Sequence, residues 1–153
     1  MIKINCDDKW KDSINEKQLQ KILEIFLKKL FETELGISIY ITDDSEIQKL
    51  NKEYRNKDSP TDILSWAYND NDLEFFANKN HVLAGEMVIS AERVLEQSIE
   101  NGWDFTTELI RLLAHGCVHI LGLDHENSDD ENREMLELEK KLLKIVGLNN
   151  IYL

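Results

Sequence analysis

The chain has 153 residues, of which 42% are hydrophobic, and its formal net charge is −12. This length and apolar content allow one domain with a sizeable core and leave too little chain for two, while the single proline and six glycines argue against extended disorder. The acidic balance argues against a surface that binds nucleic acid everywhere, because nucleic-acid binders are usually basic.

The predicted elements of the first half alternate between strand and helix, at 1–5, 16–34, 37–42 and 45–54. Apolar residues at steps of three and four predict the first helix, and a period of two predicts the second strand. Gly36 separates these two elements. Asp43, followed three residues later by Glu46, has the pattern of a capping box that opens the second helix.

The second half predicts two strands followed by three helices, at 61–66, 82–90, 91–101, 104–119 and 128–146. The polar segment from Tyr68 to Asn80 predicts a surface loop. Ser90 and Gly102 are the expected cap and end of the third helix. Ser128 with Glu131 forms a capping box for the last helix.

Together these elements predict a single α+β domain over residues 1–153, with a mixed sheet of about four strands covered by about five helices. The strand at 37–42 pairs with either 61–66 or 82–90. No apolar run approaches the ~20 residues of a membrane span, and the N-terminus lacks an apolar signal core, which predicts a cytoplasmic protein without membrane contact. Cys117 is expected to be a small buried residue, and neither a metal ligand nor the disulfide partner of Cys6.

Three of the four histidines, His115, His119 and His125, fall within eleven residues. A helix places the first two imidazoles on one face because they are four residues apart, and Gly122 lets the chain turn the third back toward them. Zinc takes neutral imidazole nitrogens, and three protein ligands leave one position for water or substrate. We therefore predict a catalytic zinc site on this helix and the following loop, although another divalent metal would fit. His81 is expected to be a loop or strand-entry residue.

The residue after the first of these histidines bears on the kind of hydrolase. Zinc peptidases with the H-E-x-x-H motif use the glutamate beside the first histidine as general base. In this chain Gly116 occupies that position. The sequence therefore disfavours a peptidase of that type.

A basic stretch precedes the second predicted pair of strands. Lys49, Lys52, Arg55 and Lys57 fall within nine residues, with only Glu53 opposing them. Charge alone leaves two interpretations open, a solvated helix face and a contact surface for a polyanion.

Three separated motifs give the chain a family resemblance. They read NKEYRNKDSPTDILSW at 51–66, LAGEMVIS at 83–90 and HGCVHILGLDH at 115–125. On these motifs the chain resembles the YbeY family of single-domain bacterial endoribonucleases and ribosomal RNA maturation factors. Three departures are visible: Glu86 stands where the family commonly has aspartate, Leu123 where tyrosine is frequent, and Trp66 where phenylalanine is frequent.

The resemblance implies that His115, His119 and His125 are zinc ligands and that Arg55 is a catalytically important arginine near the metal. It implies a mixed sheet flanked by helices. It also implies metal-dependent cleavage of single-stranded RNA in 16S ribosomal RNA processing, notably at the 3′ end, and in ribosome quality control. The ribosome or proteins bound to it are the expected partners.

We hypothesise that Arg55 offers its planar guanidinium to the phosphate. Asp124 would orient a ligand imidazole or accept a proton, although capping a turn after Gly122 explains it equally well. Because the chain is acidic, RNA binding should depend on the basic stretch and on salt. Two alternatives remain: a metallohydrolase of another class, such as a peptidase, and a ribosome assembly factor with a structural metal.

Overall fold

The computed structural model describes residues 2–31, 34–68, 83–123, 129–149 and 151. Its strands are β1 (Ile2–Cys6), β2 (Gly36–Thr42), β3 (Ile63–Ala67) and β4 (Leu83–Ser90). They form one sheet in the order β1-β2-β4-β3, in which β1, β2 and β4 are parallel and β3 is antiparallel to β4. The mixed sheet is confirmed, and β4 is the neighbour of β2 that the sequence left undecided.

The α-helices among the described residues are α1 (Glu16–Leu30), α2 (Asp44–Arg55), α3 (Ala91–Asn101), α4 (Phe105–Val118) and α5 (Asp129–Ile145). A 3₁₀ helix at Asp8–Ser13 joins β1 to α1. Helix α1 ends four residues before the predicted boundary, because Phe31 has an extended backbone conformation (φ −119°, ψ 136°) that stops the helix. The predicted capping box at Ser128 lies outside the described residues, as does most of the predicted loop at 68–80.

Side chains that alternate along the strands supply two cores on opposite faces of the sheet. On one face, Ile37, Ile39 and Ile41 of β2 are fully buried against α1, α4 and α5. On the other face, a smaller cluster joins Leu64 of β3 and Val88 of β4 to Ile47 of α2, with Tyr40, Leu50 and Trp66 packed around it. The sheet is therefore the middle layer, with α4 and α2 on opposite sides.

A buried carboxylate fixes the start of α4. Glu108 is fully buried, and its oxygens accept hydrogen bonds from Gln97 Nε2 (2.8 Å), Trp103 Nε1 (2.9 Å) and Arg111 Nε (2.9 Å). A buried charge is tolerated when it is paired and hydrogen-bonded in this way. These contacts tie α4 to α3 and to the turn before it.

Two further expectations concern membranes and cysteines. Within the described ranges, no helix combines the length and the apolar character needed to cross a bilayer. Cys117 is buried, and both it and Cys6 are free thiols, as expected.

Candidate metal centre and RNA-facing residues

His115 and His119 lie together where α4 ends. Helix α4 passes directly into a π-helical turn at His119–Leu123, in which Gly122 interrupts the helical backbone with a φ of 97°. The Nε2 atoms of the two histidines are 2.7 Å apart, and their ring centroids are separated by 4.2 Å. Both side chains are half-buried. The four-residue spacing thus brings two imidazole edges to one point near the surface.

The other two residues of the predicted site, Asp124 and His125, lie outside the described residues, as does His81. Within 2–31, 34–68, 83–123 and 129–149, no three side chains of the metal-binding types are grouped closely enough to hold an ion. Gly122, the last glycine before these two residues, has the left-handed backbone conformation that ends a helix. The three-histidine ligand set therefore stays a prediction.

Glu139 is a member of this site that sequence analysis did not identify. It lies on α5, is 4% exposed, and its Oε1 accepts a hydrogen bond from His115 Nδ1. The sequence does carry a signal for Glu139, because this acidic residue falls on an apolar helix face. Met135, four residues before it, and Leu142, three residues after it, are buried on the same face. A charged residue at such a position calls for a specific partner.

The contact with Glu139 sets the chemistry of His115. A carboxylate only accepts hydrogen bonds, so Nδ1 of His115 is the donor in this contact and Nε2 is the ring nitrogen left to bind a metal. Histidines that bind metals usually donate their other ring nitrogen to a carboxylate in the same way. Because Glu139 contacts Nδ1, it leaves the Nε2 edge of His115 open to an ion and would support this histidine if it bound one. The two histidines and Glu139 therefore fit a divalent metal.

Gly116 and Cys117, which lie between the two histidines, face the protein interior. A Cβ atom on Gly116 would lie 2.7 Å from Met87 Sδ and 2.9 Å from Ile63 Cδ1, so this position faces the sheet and a side chain there would have to displace these two side chains. A glutamate there could not serve as the base of a peptidase. Burial raises the pKa of the Cys117 thiol to about 12, which disfavours the thiolate that a metal would need.

The motif at 51–66 folds into the end of α2 and the approach to β3. Asn51 is buried and its side-chain amide donates to the carbonyl of Ser59 at 2.9 Å, which holds the connection against the helix. Asn56 ends α2 in the left-handed conformation, with a φ of 57°. These two asparagines fix the end of α2 and so the position of Arg55, its last residue.

Arg55 contacts the edge strand of the sheet. Its Nη2 donates to the carbonyl of Ser65 at 2.6 Å, and its Cζ lies 5.7 Å from the centre of the Trp66 ring. Both partners belong to β3, the outermost strand of the described sheet on that side. The residues of the π-helical turn also contact β3, so the two parts of the predicted site meet at this strand from different directions.

The basic stretch is exposed and only weakly neutralised. Lys49 approaches Glu46 at 4.0 Å and Lys52 approaches Asp58 at 3.9 Å, with lysine side chains 73% and 69% exposed. Exposed pairs of this kind contribute about 0–1 kcal/mol, so a phosphate group can replace them at little cost. The side chain of Lys57 is likewise exposed.

Comparisons with known proteins agree on one family. The family model of endoribonuclease YbeY matches residues 3–147. A protein of Aquifex aeolicus named endoribonuclease YbeY is 39% identical over 133 residues, which covers 87% of this chain and 85% of that protein. One of the same name from Fusobacterium nucleatum is 39% identical over 132 residues, covering 82% of this chain and 80% of that protein.

Among solved structures, the solution structure of a Thermotoga maritima protein superposes with a TM-score of 0.62 at 23% identity. The match covers 95% of this chain and 91% of that one. At this identity the likeness concerns the fold, and it supports the mixed sheet flanked by helices.

Proposed function

The chain belongs to the endoribonuclease YbeY family and so to the RNA-cleaving hydrolases, and from this premise we propose that it is a zinc-dependent endoribonuclease specific for single-stranded RNA. Its substrate would be the precursor of 16S ribosomal RNA, cleaved in the maturation of the 3′ end, and it would also act in ribosome quality control. The observation that carries the metal-dependent part is the convergence of His115 and His119, with Glu139 behind His115.

We assign His115, His119 and His125 as the residues that hold the ion, zinc or another divalent metal. When bound, such an ion supplies a Lewis acid for a phosphate oxygen and lowers the pKa of a bound water. Glu139 holds the His115 ring in the tautomer with a free Nε2 lone pair and prevents the ring from rotating away. Asp124 would orient His125 or accept a proton.

Arg55 would bind the phosphate. A guanidinium is always charged and offers paired donors that match two phosphate oxygens. In the structure one donor is used by the Ser65 carbonyl, which anchors the group at the edge of β3 and leaves its other N–H groups to face outward. Arg55 would therefore position the phosphodiester and stabilise negative charge that develops on it.

The exposed lysines at 49, 52 and 57 would attract the RNA backbone. Because the net charge of −12 opposes RNA elsewhere, binding to free RNA should be weak and salt-sensitive. The ribosome or a protein bound to it would then present the substrate to the basic stretch.

The experiment compares wild type, His115→Ala, Arg55→Ala and the matched control Arg133→Ala, whose arginine is 75% exposed on α5. Metal content, thermal stability and cleavage of a defined ribosomal RNA fragment are measured for each. We expect His115→Ala to lose metal and cleavage, Arg55→Ala to lose cleavage but keep metal, and Arg133→Ala to keep both.

Three results would count against the proposal. Cleavage that survives chelation would remove the metal from the reaction. Unfolding on chelation, together with no cleavage in any variant, would favour a structural metal in an assembly factor. Cleavage of peptides and not of RNA would favour the other class of hydrolase, which the packing at Gly116 already disfavours.

A further inference from the structure

A groove lies on the face of the sheet opposite to α4, along the side of α2. Its floor is a row of three adjacent residues across the strands, Ser38 on β2, Glu86 on β4 and Trp66 on β3. The neighbouring row, with Val88 and Leu64, is covered by α2. The groove has a volume of about 510 Å³, within the range of about 300–1,000 Å³ typical of small-ligand sites.

Aromatic rings form much of this groove. Tyr54, at the end of α2, is 61% exposed and meets the Trp66 ring edge-on, with 5.8 Å between the ring centroids. Tyr40 and Tyr68 also line it. Large exposed rings beside a basic stretch are typical of sites where unpaired bases stack, since every base has a π-face.

The charges in the groove favour a nucleobase over a phosphate as its ligand. Glu86 is exposed on a central strand, and among the described residues none forms a hydrogen bond or an ion pair with its side-chain carboxylate. Glu46 adds a second carboxylate to the lining. Carboxylates repel phosphate but accept hydrogen bonds from the amino group of a base, as in the contact of glutamate with cytosine N4. A cation also reaches the floor, because the guanidinium of Arg55 lies over the Trp66 ring.

We propose that this groove binds one unpaired nucleobase of the RNA substrate, with an amino group that donates to Glu86, while Arg55 holds an adjoining phosphate. Cytosine, adenine and guanine carry such an amino group and uracil does not. The strand would then cross the edge of β3 from the groove toward the face that carries His115 and His119. This inference rests on the proposed function, since it concerns the substrate of the same enzyme.

The test measures binding of two oligonucleotides of equal length and charge, 2′-O-methyl oligocytidylate and oligouridylate, to the full chain as purified. Fluorescence anisotropy gives the affinity, and gel analysis afterwards checks that the oligonucleotides are intact. We expect wild type to prefer oligocytidylate by about tenfold, which corresponds to about 1.4 kcal/mol. Glu86→Gln should reduce this preference to within about twofold, because an amide both donates and accepts.

Glu53→Gln is the matched control, since it removes the same charge from an exposed position on α2 outside the groove lining. It should leave the preference for cytosine unchanged. Tyr54→Ala should weaken binding of both oligonucleotides about tenfold, whereas Tyr54→Phe, which keeps the ring, should bind like wild type. Both Glu86 and Tyr54 are exposed, and thermal melts would verify that the variants are folded.

Equal affinity of wild type for both oligonucleotides, or a preference that survives Glu86→Gln, would overturn the nucleobase site. Unchanged RNA affinity in both groove variants, with loss of binding to ribosomal subunits, would overturn it in favour of a protein partner. Either failure is distinguishable from failure of the proposed function, because metal-dependent RNA cleavage by wild type is measured separately and does not require a base preference.

Discussion

The carboxylate of Glu139 accepts a hydrogen bond from His115 Nδ1, although the two residues are 24 positions apart in the chain. The contact joins α5 to α4, which also pack against each other. Because Glu139 is 4% exposed, little water competes for its oxygens and the contact is stronger than the same pair would be at the surface. The ring orientation of one proposed ligand is thus set by a helix that supplies no ligand itself.

Replacing Glu139 should therefore weaken metal binding without removing a ligand. We expect Glu139→Gln, which keeps an acceptor but loses the charge, to lower zinc affinity about tenfold to a hundredfold, as measured by competition with a chromophoric chelator. Glu137→Gln is the control, because Glu137 is 66% exposed on the same helix and pairs only with Lys140 among the described residues. Equal zinc affinity in the two variants would contradict the assigned role.

A methyl group at Gly116 should destabilise the fold. Helix propensity alone would make Gly116→Ala more stable by about 1 kcal/mol. Against this, the added Cβ would lie 2.7 Å from Met87 Sδ, and overpacking of this kind costs about 1–3 kcal/mol. We expect a net loss of about 1 kcal/mol in urea unfolding. A gain in stability would show that the helix can move away from β4.

The cap of α4 should give a pH-dependent contribution to stability. The backbone N–H of Thr107 donates to Asp104, which lowers the pKa of that carboxyl below its ordinary value of 3.8. The stabilisation is therefore present above pH 3.8 and is lost as the pH falls through the lower folded-state value.

We expect Asp104→Ala to cost about 1 kcal/mol in free energy of unfolding at pH 7 and less at pH 3. In Asp104→Asn the cap carries no charge, so its contribution to the free energy of unfolding should be the same at pH 7 and pH 3. Urea unfolding at the two pH values measures both differences. An alanine cost that is equal at pH 7 and pH 3 would exclude an ionic contribution from this cap.

The exposed lysines of the basic stretch should control the salt dependence of RNA binding. Neutralising Lys49, Lys52 and Lys57 to glutamine should weaken binding to single-stranded RNA and reduce the slope of log affinity against log salt by about 2, at roughly 0.7 for each phosphate contact. The control neutralises three exposed lysines of α1, on the other face of the sheet, at positions 21, 28 and 29. An equal change in slope in both triple variants would mean that RNA binding follows net charge and not this surface.

Local patterns in the sequence predicted most of the elements and the close approach of two of the three proposed ligands. The predicted caps at Asp43 and Ser90 each accept a hydrogen bond from the backbone N–H three residues ahead. The pairing of His115 with His119 follows from helical geometry alone. These features involve residues within four positions of each other, so the helix repeat is enough to place them.

Contacts between distant segments could not be obtained in this way. Ser38, Glu86 and Trp66 form one row because β4 pairs with both β2 and β3 in a particular register. The sequence of one strand does not specify its register with another. Arg55 illustrates the same limit, because its place at the Ser65 carbonyl depends on the turn between α2 and β3.

By itself, the sequence determined the elements, the cluster of histidines and the family, because hydrophobic periodicity, capping residues and motif spacing are short-range properties of the chain. Only the tertiary structure decided that Glu139 supports His115, that Gly116 faces the sheet, and that an aromatic groove lies on the far side of β3 from the histidines. The physical reason is that burial and strand register arise from the packing of all layers at once, so the environment of each side chain is set by residues far from it in the chain.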